Sequence, residues 1–106
     1  MKYKKTGFWK FYSKKIIQNS DIKYSYKNEK KYVCHHILTV SKYPQFVFAN
    51  WNIIVLGKRK HNAFHKKYGK TKCTIQDLIC FLKKDISIKT YNHLLTLQIK
   101  YQNSPK

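Results

Sequence analysis

Tyr32-Val33-Cys34-His35-His36-Ile37-Leu38, Ile53-Ile54-Val55-Leu56 and Lys58-Arg59-Lys60-His61-Asn62-Ala63-Phe64-His65-Lys66-Lys67-Tyr68-Gly69 decide how this chain folds. The first two runs are short and rich in β-branched and aromatic residues. Between them, Ser41, Lys42 and the turn-favouring Pro44 mark a long loop. The pair predicts two short strands. The third run predicts a helix over 58–68, ended by Gly69, because glycine adopts the backbone conformation that stops a helix at little steric cost.

Outward from this centre, Thr74 opens a second helix. Thr74 and Asp77 form a variant of the capping box, and Ile75, Leu78, Ile79 and Leu82 give the helix an apolar face. Upstream, Phe8, Trp9, Phe11, Tyr12, Ile16 and Ile17 have the spacing of a short amphipathic helix, which Asn19, Ser20 and Asp21 should stop. Residues 22–31 read as an exposed connection or a weak strand. Downstream, Ile86 and Ile88 alternate as a strand would, and Leu94, Leu95, Leu97 and Ile99 fit helix or strand. Residues 102–106 read as a frayed tail. The organisation expected is a basic aromatic N-terminal extension over 1–31, a core over 32–85 and a C-terminal extension over 86–106.

The chain is 106 residues long, enough for one domain, which excludes an enzyme with a separate cofactor domain. Lys+Arg number 23 and Asp+Glu 4, so the net charge is +19. With 42% hydrophobic and 16% aromatic residues, the chain is too apolar for a disordered polycation. The charge points to an acidic partner, nucleic acid before an anionic membrane surface. Phe, Tyr, Met, Ile, Asn and Lys total 56 residues while Gly, Ala, Arg and Pro total 8, a bias expected of an AT-rich genome such as that of an organelle or a phage. Part of the lysine content follows from that bias. No apolar run approaches the roughly 20 residues of a membrane span. Cys34, Cys73 and Cys80 are odd in number and contain no C-x-x-C pair, so reduced thiols in an intracellular protein are expected, not a disulfide framework or a thiolate zinc site.

Four of the five histidines have an informative spacing. His61 and His65 are four apart, on one side of the expected helix, where two imidazoles can share a metal ion. His35 and His36 are neighbours on a strand and so face opposite ways. One of them can join the metal, and the other is free to handle a proton. Cys34 should face away from His35 as a buried thiol, and His93 has no partner in the pattern.

In order, Val33-Cys34-His35-His36-Ile37, Tyr43-Pro44-Gln45-Phe46, Asn52-Ile53-Ile54-Val55-Leu56 and His61-Asn62-Ala63-Phe64-His65-Lys66-Lys67-Tyr68-Gly69 resemble the HNH endonuclease family, in particular its small intron-encoded and phage-borne members. The resemblance spans residues 32–83. It implies an α+β architecture with a small ββα-metal core and flanking helices, holding one divalent cation. His36 matches the family's general base. Asn52 matches the asparagine that orients the base or stabilises its loop. His35, His61 and His65 match metal-ligand positions. Many relatives also carry two C-x-x-C pairs that hold a structural zinc. Those positions fall near Tyr24 to Lys27 and at Gly57 and Lys60, and no cysteine is present at either. Packing by Trp9, Tyr24 and Tyr26 is expected in the zinc's place.

The chemistry needs these groups. A phosphodiester is anionic and repels a nucleophile, and a divalent cation offsets the charge that builds up on it. A histidine is partly neutral near pH 7 and can take a proton from water. Mg2+ or Mn2+ is the expected cation. Zn2+ or Ni2+ is the alternative, since imidazoles favour the softer ions in affinity. Lys58, Arg59, Lys60, Lys66 and Lys67 surround the helix histidines and are the expected phosphate contacts. The N-terminal Lys2, Lys4, Lys5, Lys10, Lys14 and Lys15 could extend the footprint. The expected partner is duplex DNA, cut by a monomer or a dimer in an organelle (plastid or mitochondrion) or a phage-infected cell. The competing reading is a non-catalytic basic nucleic-acid-binding protein, such as a small organelle ribosomal protein.

Overall fold

A computed structural model describes residues 3–5 and 7–102. It is an α+β structure in which four helices surround a two-stranded antiparallel sheet. Helix α1 (Gly7–Asn19) leads through an irregular stretch to β1 (Tyr32–His36). A long loop with two 3-10 turns, Pro44–Phe46 and Asn50–Asn52, returns the chain to β2 (Ile53–Gly57). Helix α2 (Lys58–Tyr68) follows directly, then α3 (Ile75–Leu82) and α4 (Ile88–Leu97).

The strands pair in the register Tyr32↔Gly57 to His36↔Ile53. Two strands alone are marginal in water. Here Tyr24 adds a parallel bridge beside Leu56, with its amide donating to Val55 O at 3.0 Å and its carbonyl accepting from Gly57 N at 2.7 Å. The weak strand expected within residues 22–31 is thus a single bridge.

One core joins all three expected segments. Tyr24 enters it from the first, Leu38, Leu56, Phe64, Ile75, Leu78 and Leu82 from the second, and Leu94 and Leu97 from the third. Burying each large apolar side chain contributes about 1.5–3 kcal/mol. The extensions are therefore part of the fold. Helix α2 ends at Gly69, which has φ +86°, and α3 begins at the Thr74–Asp77 capping box, both as expected.

Two expectations fail at the C-terminal end. Ile86 and Ile88 do not form a strand. Ser87 caps α4, its Oγ accepting from Thr90 N at 3.1 Å, and Ile88 is left exposed at the first helical position. Their alternation in sequence records a helix start, where one residue packs inward and the next turns to solvent. The tail does not fray at Gln102 either. A wide π turn over Gln98–Gln102 continues α4, and Gln102 Oε1 accepts from Ile75 N at 2.8 Å, satisfying a free amide at the start of α3. Residues 103–106 lie outside the described residues. Among the described residues, no helix is long and apolar enough to cross a membrane.

Candidate metal centre and its cleft

Strand β1 and helix α2 bring three imidazoles together because Phe64 anchors the helix against the strand. Phe64 is fully buried, and its ring meets the His35 ring edge-on at 5.0 Å. His61 and His65 lie three residues before and one after Phe64, on the adjoining stripe of α2. They are half-buried at the edge of the core and face His35. One nitrogen from each of His35, His61 and His65 lies within 4.8 Å of the others, and the Nε2 atoms of His61 and His65 are 2.9 Å apart. Ligand nitrogens stand about 2.0–2.1 Å from a zinc-sized cation, so separations of roughly 3–4 Å suit one ion.

The electrostatics suit a cation as well. Burial holds the His35 imidazole well below its ordinary pKa, with His61, His65 and His36 adding to the effect. Burial also takes His61 down to about 4, reinforced by His65, Lys4, Lys70 and His36. These two rings are neutral at pH 7, the form that binds metal. His65 Nδ1 donates to Gly69 O at 2.9 Å, which leaves the Nε2 lone pair facing His61. The helix-stopping glycine thus also sets a tautomer, as the outer partners of metal-bound histidines do. The donor set of three imidazole nitrogens, one of them pre-oriented, fits a divalent cation.

His36 faces the other way. Its ring stacks on Trp9 of α1 at 5.1 Å and meets Tyr3 edge-on at 5.5 Å. Its Nε2 donates to Val47 O at 2.9 Å, so the neutral ring carries its lone pair on Nδ1. Burial lowers its pKa and the Lys4 charge adds to this, while the bond to Val47 works in the opposite direction. His36 and the three-histidine cluster line the same cleft, of about 630 Å³. Trp9 therefore packs against a ring that lines the cleft.

Asn52 does not touch the His36 ring. It is fully buried, and its Oδ1 accepts from Leu38 N at 2.7 Å while Nδ2 donates to Leu38 O at 3.1 Å and Phe46 O at 3.3 Å. Of the two roles implied for it, these bonds fit the bracing of the loop. That loop holds the Val47 carbonyl, so a backbone oxygen orients His36 and Asn52 acts one step behind it.

The expected phosphate contacts divide. Lys58, Lys66 and Lys67 are exposed on α2. Arg59 is exposed but engaged, with Nη2 donating to Lys27 O at 3.2 Å and Nε 3.9 Å from Glu29. Lys60 is not a surface cation. It is buried, 3.5 Å from Asp85, with the rings of Tyr26 and Phe81 at 5.3 and 5.9 Å. Its long alkyl stem lies along the apolar side of α2 and its charge meets a carboxylate and two ring faces there. Among the described residues, the cations that line the cleft are Lys4 and Lys70. Lys70 just follows the helix stop, and composition alone does not single it out among so many lysines.

Glu29 also escapes a reading of the sequence by motif. Its buried carboxylate accepts from the backbone amides of Tyr26, at 3.0 Å, and of Arg59, and so caps the start of α2 from outside the helix. Burial pushes its pKa up, but the bonds from Tyr26, Arg59 and Lys60 amides and the Arg59 charge outweigh this and hold it low. Gly57 allows this approach, because a Cβ there would stand 2.0 Å from Glu29 Oε2. At the positions where the resemblance would place cysteines, this chain has Tyr24 in the core, Gly57 against Glu29 and Lys60 on Asp85. The signal was rarity, since Glu29 is the sole glutamate of the chain. Cys34 is half-buried, its thiol directed at Ser13 O of α1 at 3.6 Å and pushed up to about 11 by burial. His93 bonds to Trp51 O at 2.6 Å, away from the cluster.

No family model, curated protein or solved structure matches this chain.

Proposed function

We propose that this protein is a metal-dependent DNA endonuclease of the HNH type, with a ββα-metal core, that hydrolyses phosphodiester bonds in DNA by nicking or double-strand cutting. One observation carries the reading: three imidazoles present ligand nitrogens within 4.8 Å of one another in a cleft, and a fourth imidazole, oriented by a backbone carbonyl, lines the same cleft. A bare histidine trio would suit a structural metal. The added ring, oriented with a free nitrogen, suits the transfer of a proton.

In this reading His35, His61 and His65 hold the cation, of which Mg2+, Mn2+, Zn2+ and Ni2+ are the candidates. A cation held there would supply Lewis acidity to the phosphodiester. Lys4 and Lys70 attract the phosphate into the cleft. His36, neutral and held by Val47 O, accepts a proton on Nδ1 from the attacking water. Trp9 and Tyr3 keep that ring from rotating. Asn52 keeps the Val47 carbonyl where His36 needs it.

The test is supercoiled plasmid incubated with the protein and Mg2+, Mn2+, Zn2+ or Ni2+, against an EDTA control. Wild type is expected to relax the plasmid only with metal. His36→Ala is expected to slow nicking by about 10²–10⁴-fold, the usual contribution of a general base, while retaining DNA binding within about twofold. Plasmid that is bound yet stays supercoiled with every cation would leave a non-catalytic nucleic-acid-binding protein in place of the nuclease.

A further inference from the structure

Helix α1 carries a surface that the cleft chemistry leaves unused. None of its residues is buried, and Phe8 and Phe11 are 56% and 61% exposed. Large exposed aromatic side chains on a charged protein mark a contact surface. Phe8 meets Phe48 edge-on at 4.9 Å and stacks over Tyr12 at 5.8 Å. Phe48 in turn lies 6.1 Å from Trp9, the ring stacked on His36. A continuous series of rings therefore runs from His36 out to the surface of α1.

Charge identifies what this surface takes. Lys4, Lys10, Lys14 and Lys15 flank the rings, and the first acid of the chain is Asp21. Of the four acids, Glu29 and Asp77 bind backbone amides and Asp85 faces Lys60, so no pool of free carboxylates exists to pair with these lysines. A second copy of the chain would bring another +19 charge against them. A bare apolar partner would leave the lysines unpaired. A partner with flat apolar faces and a regular anionic backbone satisfies both, and that is an unpaired nucleic-acid strand. Bases in a duplex are stacked on one another and offer no face to these rings.

We infer that α1 and Phe48 form a stacking platform for an unpaired DNA strand leading away from the cleft at His36. The choice of DNA rests on the nuclease reading; the preference for an unpaired strand rests on the exposed rings alone. The substrate class then narrows from duplex DNA at large to DNA with a single-stranded segment beside the cut, such as a flap, a fork or a melted site.

The experiment is fluorescence anisotropy in EDTA, which separates binding from cleavage. The probes are a labelled single strand of thymidine nucleotides, an RNA strand of uridines of equal length, and a hairpin duplex with the same number of phosphates. Wild type is expected to bind the DNA single strand at least as tightly as the duplex. The double variant Phe8→Ala/Phe11→Ala should weaken single-strand binding at least tenfold and duplex binding less than twofold, and Phe8→Tyr/Phe11→Tyr should restore it. This single-strand binding by wild type in EDTA is expected even if no cation supports nicking. Equal losses on both DNA probes, no loss on either, or tighter binding of the RNA would overturn the proposal. So would a dimer in sedimentation that the double alanine variant dissociates, since the patch would then be occupied by a second copy.

Discussion

Asn52 illustrates how a buried polar side chain holds a site it does not touch. Truncating it to alanine removes the side-chain partners of the Leu38 amide and carbonyl, while the Phe46 carbonyl keeps its bond from Ala49 N. Each buried group left unpaired costs about 1–3 kcal/mol. Asn52→Ala is therefore expected to lower unfolding stability by about 3 kcal/mol, measured by urea denaturation. It should also speed hydrogen exchange at the Leu38 amide. Activity lost at unchanged stability would instead put the asparagine in direct contact with the reacting groups. His65 is a second residue whose partner decides its use, because the Gly69 carbonyl selects the nitrogen that faces the cluster.

At the scale of elements, the start of α2 depends on a carboxylate thirty residues before the Arg59 amide it accepts from, and in neither helix nor strand: Glu29 sits in the connection between α1 and β1. Its folded pKa is held below the ordinary value of 4.5. A lowered pKa stabilises the fold above the unfolded value, and this contribution is lost as the pH falls through the folded one. Wild type should thus lose stability as the pH drops below about 4.5, the ordinary value of this carboxyl. Circular dichroism should show Glu29→Gln destabilised at pH 7 and with a flatter acid response. An unchanged acid midpoint in that variant would remove Glu29 from the account of α2. Gly57→Ala should destabilise by about 1–3 kcal/mol in thermal melts, since the new methyl group displaces Glu29. Much of the element order was legible in the sequence, because the Gly69 stop, the Thr74–Asp77 box and the aromatic spacing of α1 are local signals. Helix α4 was not. Ile86 and Ile88 alternate over too short a window to separate a strand from a capped helix start, and only the Ser87 bond to Thr90 decides it.

For the whole molecule, charge and its placement differ. The +19 balance makes any nucleic-acid affinity fall steeply with salt. Each lysine that meets a phosphate adds about one to the slope of log affinity against log salt. Lys70→Ala should reduce that slope by about one, in a filter-binding titration across salt concentrations. Lys60→Met should leave the slope unchanged, because its ammonium is spent on Asp85, Tyr26 and Phe81. A reduced slope for Lys60→Met would mean that the residue reaches DNA after all.

Composition, periodicity and caps by themselves determined a basic α+β chain, two strands followed by a helix, and two histidines on one face of that helix. These are properties of neighbours a few residues apart, and the sequence writes them directly. The tertiary structure alone decided that His35 meets His61 and His65, that His36 takes its orientation from Val47, that Asn52 braces a loop, that Lys60 is buried and that Glu29 caps α2. Each of those depends on which distant groups exclude water together, and burial and hydrogen-bond partners are set by packing across the fold, not by spacing along the chain.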